Sequence, residues 1–119
     1  MAMPSELLKV SNLQSINVVE MFLADDLDTT EFDRLNDGIA DVFRDEPGGR
    51  WLLDLAKVNY MGSAVLGLMV NIRHRVKGMG GRLALCNMSP RLHGIFKACC
   101  LERLFTIART RDDGLRYLR

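Results

Sequence analysis

Arg50-Trp51-Leu52-Leu53-Asp54-Leu55, followed by Ala56-Lys57-Val58-Asn59-Tyr60-Met61-Gly62 and then Ser63, is the stretch that decides the fold. Its first six residues read as a strand, apolar enough to be covered on both faces. Residues 56–62 carry the chain to a turn. From Ser63 the spacing becomes helical, with Val65, Leu68, Met69, Ile72 and Val76 on one stripe. Ser63 stands where that helix begins, the position at which a hydroxyl can cap free backbone N–H groups.

The alternation of strand and helix extends outward from this unit. Upstream, Leu7 to Val10 and Ile16 to Leu23 read as two strands of a hairpin joined by residues 11–15, with Val19, Met21 and Leu23 on one face. Residues 25–28 form a loop, and Asp28 with Glu31 makes a capping-box start for a helix carrying Phe32, Leu35, Ile39, Val42 and Phe43. Gly38 weakens that helix by about 1 kcal/mol, which the buried apolar side chains outweigh. Pro47-Gly48-Gly49 turns the chain into the central strand. Downstream, Gly78-Met79-Gly80-Gly81 stops the central helix, and Arg82 to Cys86 is the next strand. Ser89-Pro90 starts a helix whose buried stripe is Leu92, Ile95, Phe96 and Cys99. Leu104 to Ile107 is a last short strand. Thr110 with Asp113 caps a final helix with Leu115 and Leu118 inward and Tyr117 beside them. The order β-β-α-β-α-β-α-β-α predicts an α/β fold in one domain, a mixed four- to five-stranded sheet with about four helices and right-handed crossovers.

Composition bounds the function. The 119 residues are 48% apolar and 26% charged, as in an ordinary globular domain. No apolar run approaches about 20 residues, so no membrane span is expected, and the first ten residues lack a secretion-signal pattern. Cys86, Cys99 and Cys100 are an odd number without Cys-x-x-Cys spacing, which reads as reduced thiols in a cytoplasm. The net charge of +1 hides an asymmetry. Between Glu20 and Glu46 there are ten acids against Arg34 and Arg44, and from Pro47 onward thirteen bases face four acids. Opposite solvated helix faces account for this, or a dipolar surface that orients a protein partner. The bases are spread among core residues rather than clustered with aromatics, which disfavours nucleic acid.

Enzyme chemistry finds little support. Gly78, Gly80 and Gly81 precede a strand, not a helix, and lack a Walker lysine. His74 and His93 fall on different helices without ligand-spaced carboxylates or cysteines, so no metal or cofactor is expected. Met61 and Val65 flank Ser63 where a hydrolase elbow would have glycines. Cys99-Cys100 is read as core packing rather than a redox pair. On a wheel of 100° per residue, Gly67, Val70 and His74 fall on the Ser63 side, away from the core stripe, with Leu66 flanking them. A small residue beside apolar ones on an outward face suits a closely docking partner.

The strand-loop-serine-helix unit resembles the core motif of the STAS domain, the family of the anti-sigma factor antagonists. The residues carrying the resemblance are Asp54, Leu55, Val58, Tyr60, Met61, Ser63, Leu66 and Gly67. Gly62 stands where the family has Asp, Ala64 where it has a second Ser or Thr, and Val65 where it has Gly. Gly80-Gly81-Arg82-Leu83-Ala84-Leu85 and Cys100-Leu101-Glu102-Arg103-Leu104-Phe105 are similar to later family segments, with Cys100 at a usual Gly. The resemblance implies a non-enzymatic regulator that binds an anti-sigma factor serine kinase and is switched by phosphorylation of Ser63. Together with the wheel it gives an expected contact face made of Gly62, Ser63, Leu66, Gly67, Val70 and His74, on a monomer or weak homodimer. The alternatives are a STAS scaffold or ligand-sensing module in which Ser63 only caps its helix and, more distantly, a small redox or hydrolytic enzyme.

Overall fold

In the computed structural model, which describes residues 7–46 and 48–119, the chain opens as a tight hairpin. Strand β1 (Leu8–Leu13) pairs antiparallel with β2 (Ile16–Leu23), from Leu8 opposite Met21 to Leu13 opposite Ile16. Only Gln14 and Ser15 connect them, at φ of 56° and 66°. The expected five-residue loop is therefore shorter by three residues. Neither Gln nor Ser announces a turn with two left-handed residues, for which Asn-Gly is the usual signal.

Strands β3 (Arg50–Val58), β4 (Arg82–Cys86) and β5 (Thr106–Ala108) follow, each parallel to the one before, and β3 is parallel to β2. The sheet order is β1-β2-β3-β4-β5. The mixed sheet and the order of elements are those expected, although β3 runs on to Val58 and β5 begins at Thr106. Pro47 lies outside the described residues, so the turn assigned to it is not described. Every crossover moves one strand in the same direction. Right-handed connections therefore place α1 (Thr29–Arg44), α2 (Ser63–Gly78) and α3 (Pro90–Ala98) on one face. Only α4 (Arg111–Leu118), which follows the last strand, packs on the other.

The alternation of each strand divides the core accordingly. Val19, Met21, Trp51, Leu53, Leu55 and Leu85 face the three helices, and Ile16, Val18, Leu52, Ala84 and Cys86 face α4. Coverage on both sides explains why β3 reads as a continuous apolar run. Caps fix the helix starts: Asp28 and Glu31 close a reciprocal box on α1, Ser89 Oγ accepts from Leu92 N–H at 3.1 Å, and Thr110 Oγ1 from Asp113 N–H at 3.1 Å.

A carboxylate is enclosed on the α4 face of β3. Asp54 is 5% exposed. It accepts from the Ala56 N–H at 3.0 Å, Asn87 Nδ2 at 3.1 Å, and Arg111 through Nε at 3.1 Å and Nη2 at 2.7 Å. Burial alone would raise the Asp54 pKa. The hydrogen bonds from Arg111, Ala56 and Asn87, with the Arg111 charge, outweigh it and hold the carboxyl below its ordinary value. Because the folded pKa lies below the unfolded one, the stabilisation is complete above the unfolded value of about 3.9 and is lost as pH falls through the folded one. Asp54→Ala should cost about 2–3 kcal/mol at neutral pH, since charged hydrogen bonds disappear and Arg111 loses its partner. It should also flatten the acid side of the stability profile. Thermal unfolding of both proteins between about pH 7 and 3 measures both effects.

Candidate functional site

After Val58 the chain leaves the sheet through Asn59 and Tyr60, and Met61 drops back into the core, 2% exposed. This anchor fixes Gly62, which is the N-cap of α2 at φ −80° and ψ 178°. Ser63 is the first helical residue and its side chain is exposed. The expectation that Ser63 caps the helix is therefore corrected. The chain turns from extended to helical at Gly62, one residue earlier, so the N-cap position, from which a side chain accepts from the N2 or N3 N–H, falls on a glycine. The helix hydrogen bonds begin with Leu66 N–H donating to Gly62 O at 3.0 Å. The N–H groups of Ser63, Ala64 and Val65 precede that bond, no side chain among the described residues caps them, and the first turn carries no acid. The hydroxyl thus stands beside backbone donors at the positive end of a 16-residue helix.

Ser63 and Ala64 form one wall of a groove of about 420 Å³. Tyr60 and Gly62 continue that wall, and the loop after β2, with Asp25, Asp26 and Asp28, forms the other. The parallel register of β2 with β3, in which Leu23 lies opposite Val58, puts the two following loops side by side. Asp25 pairs with Arg91 of α3 at 3.5 Å, and the Arg91 guanidinium lies 5.4 Å from the Tyr60 ring centre. Sequence reading took residues 25–28 for a plain loop and missed this acidic wall. The signal was available, because parallel neighbours bring together the loops that follow them.

The residues expected on the contact face of α2 differ in exposure. Gly67 is exposed, and a Cβ there would have nothing within 4 Å. His74 is exposed too, whereas Val70 is half-buried against the core. Leu66, expected at the edge of the contact face, is 8% exposed and belongs to the core. The wheel allowed a single buried stripe, but α2 lies between α1 and the segment before β5. It shares a crevice with Asn36 and Ile39 on one side, and Arg73 Nε bonds the Leu104 carbonyl on the other. Helices covered on two flanks bury a wider arc. The exposed stripe is Ser63, Gly67, Asn71 and His74, smaller and more polar than expected.

The cysteine expectation also needs correction. Helix α3 ends at Ala98, so Cys99 is its exposed C-cap rather than part of the buried stripe. Cys100 is exposed at φ 59°, the left-handed conformation that glycine takes without steric cost. Cys86 is buried; burial first, and then the nearby Asp54 charge, push its thiol up to about 12. Among the described residues, no group of three His, Cys, Asp or Glu is placed to hold a metal ion. No helix there is long and apolar enough to cross a membrane.

The fold and the serine-bearing loop define a class. The STAS domain family model matches residues 10–114, and the chain belongs to that family. BtrV of Bordetella bronchiseptica, named as an anti-sigma factor antagonist, is 27% identical over 63 residues, 53% of this chain and 54% of its own. The chain spans little more than half the length of the curated relatives it matches. Among solved structures, an anti-sigma factor antagonist STAS domain protein of Planctomyces limnophilus superposes with a TM-score of 0.81 at 21% identity, over 93% of this chain and 97% of that one. The Bacillus cell fate determinant SpoIIAA in its phosphorylated form gives 0.65 at 18% identity, over 94% and 99%.

Two substitutions separate the inner and outer sides of α2. Leu66→Ala should destabilise the domain by about 2–4 kcal/mol through lost burial and a residual cavity. Gly67→Ala should stabilise it by up to about 1 kcal/mol, because the added methyl meets nothing and the helix gains propensity. Denaturant unfolding of each variant reads both signs.

Proposed function

We propose that this domain is a cytoplasmic anti-sigma factor antagonist that acts as a regulator rather than an enzyme. Its unmodified form binds an anti-sigma factor that is itself a serine kinase, and phosphorylation of Ser63 ends that binding. The observation that carries the reading is the exposed Ser63 hydroxyl at the uncapped start of α2, one turn from the unobstructed Gly67. Membership of the STAS family and the likeness to SpoIIAA, solved in a phosphorylated form, support it.

The chemistry is a phosphoryl transfer for which the partner supplies ATP. Ser63 Oγ attacks the γ-phosphorus and forms the O–P bond. The bond to the β–γ bridging oxygen breaks, ADP leaves, and the hydroxyl proton passes to a base or to water. The product carries about −1.5 to −2 charges and three acceptor oxygens. Within the free domain the backbone donors of the first turn and the helix dipole accommodate them, so the fold persists. Across a closely packed interface the same group fills the approach beside Gly67 and must be desolvated, so binding is lost. The contact face consists of Gly62, Ser63, Gly67 and His74 with the exposed part of Val70. Leu66 supports it from below.

Gly62 leaves no acid next to the hydroxyl in sequence, which favours a second reading: a scaffold that docks its partner without being phosphorylated. The acids of the opposite groove wall weigh against it, because they place carboxylates in the same groove as Ser63. Incubation with the cognate kinase and ATP decides between the readings. Wild type should be labelled and Ser63→Ala should not, while the alanine variant still binds the partner. Label absent from both, with binding intact, selects the scaffold.

Binding and stability should separate at Gly67. Gly67→Arg should leave thermal unfolding unchanged or slightly raised, since the side chain has open space and arginine is the better helix former. Partner affinity, measured by calorimetry, should collapse, because a long cation would meet the approaching surface. Unfolding of the variant, or normal binding, would each overturn the assignment of this face.

Gly62→Asp tests the missing acid. The cap position has ordinary extended backbone, and the nearest side-chain atoms to a new Cβ are 3.9 and 4.0 Å away, on Tyr60. Aspartate there should cap the first turn, raising stability by about 0.5 kcal/mol. The initial rate of Ser63 phosphorylation should rise if an adjacent carboxylate positions the hydroxyl. A rate equal to or below wild type in a folded protein would show that the groove acids already suffice.

A further inference from the structure

The end of the sheet where β3, β4 and β5 begin lies opposite the Ser63 loop and carries a second cavity, of about 150 Å³. Arg73 and Lys77 reach it from the last turns of α2, Arg82 from the first residue of β4, and Thr106 and Tyr117 from β5 and α4. Among the described residues its lining contains no carboxylate.

The cations are oriented but not neutralised. Arg73 Nε donates to the Leu104 carbonyl, and Arg82 Nη2 donates to the Tyr117 carbonyl at 3.0 Å. The Arg82 guanidinium also lies over the Tyr117 ring, 4.6 Å from its centre. Among the described residues neither arginine, nor Lys77, has an ion-pair partner. Thr106 Oγ1 donates to the Tyr117 hydroxyl at 3.3 Å, which leaves the phenolic proton available to a ligand. The Thr106 bond and the nearby Arg82 guanidinium draw the Tyr117 pKa below its ordinary value. The rim therefore presents donors and three positive charges.

We propose that this cavity binds a phosphoryl group, carried by inorganic phosphate or a small phosphomonoester. A dianion with several acceptor oxygens meets two guanidinium groups and an ammonium, whereas a monocarboxylate would leave most of the charge uncompensated. The volume excludes larger ligands. Pockets that enclose a whole cofactor or drug-sized molecule run from about 300 Å³ upward, so the phosphoryl head is held and any remainder projects into solvent. Lys77 is fourteen residues along α2 from Ser63, roughly 21 Å at the helical rise. The site is thus separate from the serine loop, and its existence does not depend on the function proposed above.

The experiment is a two-dimensional amide NMR titration of the full chain. Inorganic phosphate and glycerol 3-phosphate are the probes, with sodium chloride at matched ionic strength as the control. Saturable shifts are expected at Gly81, Arg82 and Thr106 with both phosphates and not with chloride. The tighter of the two phosphates identifies the source. Lys77→Gln removes one charge that, among the described residues, makes no bond to the fold, and should raise the apparent Kd about tenfold, the loss expected for one charge-assisted hydrogen bond. Lys57→Gln removes an equal charge near the far end of β3 and should leave the Kd unchanged. Equal shifts with chloride, an equal effect of the two lysine variants, or phosphate shifts confined to residues 63–65 at the start of α2 would each overturn the proposal.

Discussion

A carboxylate enclosed between a sheet and a helix cannot be left without partners, and in this domain that requirement organises one whole end of the sheet. Asp54 is satisfied only when β3, the residue after β4 and the start of α4 meet around it, through Ala56, Asn87 and Arg111. Glu20 of β2 adds a longer contact to the same guanidinium at 3.5 Å. Asn87 accepts a positive φ of 58° to take part. The convergence occurs where the parallel strands end, and the loop that presents Ser63 leaves the sheet from there. Met61 anchors that loop in the core on the other side of the sheet.

The succession of strands and helices was legible because local patterns and the fold agree: a two-sided apolar strand, amphipathic helices, and side-chain caps at Asp28, Ser89 and Thr110. What escaped reading depended on contacts distant in sequence or on a residue out of its usual place. The hairpin turn is made by Gln14 and Ser15, which carry no strong turn signature. Leu66 looked peripheral because a wheel has one core direction, whereas α2 is flanked on two sides. Asp54 was visible as a motif residue, but its partner Arg111 is 57 residues away. Ser63 was correctly placed at a helix start and wrongly given the capping role, a difference of one residue that changes its hydroxyl from an occupied group to a free one. The acidic groove wall could be found only by setting side by side the loops that follow β2 and β3.

Helix α2 connects two unlike ends of the molecule. Its first turn offers backbone donors and a hydroxyl beside an acidic groove, and its last turns place Arg73 and Lys77 in a cationic cavity. The helix is held along most of its length by Leu68, Met69, Ile72 and Val76, so the two ends belong to one stiff body. The asymmetry of charge in the sequence has a partial spatial counterpart: acids gather on α1 and the loop before it, and Arg73, Lys77 and Arg82 meet at the end of the sheet where the parallel strands start.

Gly62 sits in a backbone conformation that any residue adopts, with open space where a side chain would begin. Glycine at this point is consequently no requirement of folding. Aspartate and glycine codons can differ by a single base, so an acid at this position lies one mutational step away and meets no structural barrier. A charge can therefore be gained or lost beside Ser63 while the scaffold stays untouched, so chains sharing this architecture can differ in the electrostatics of this loop through one position alone.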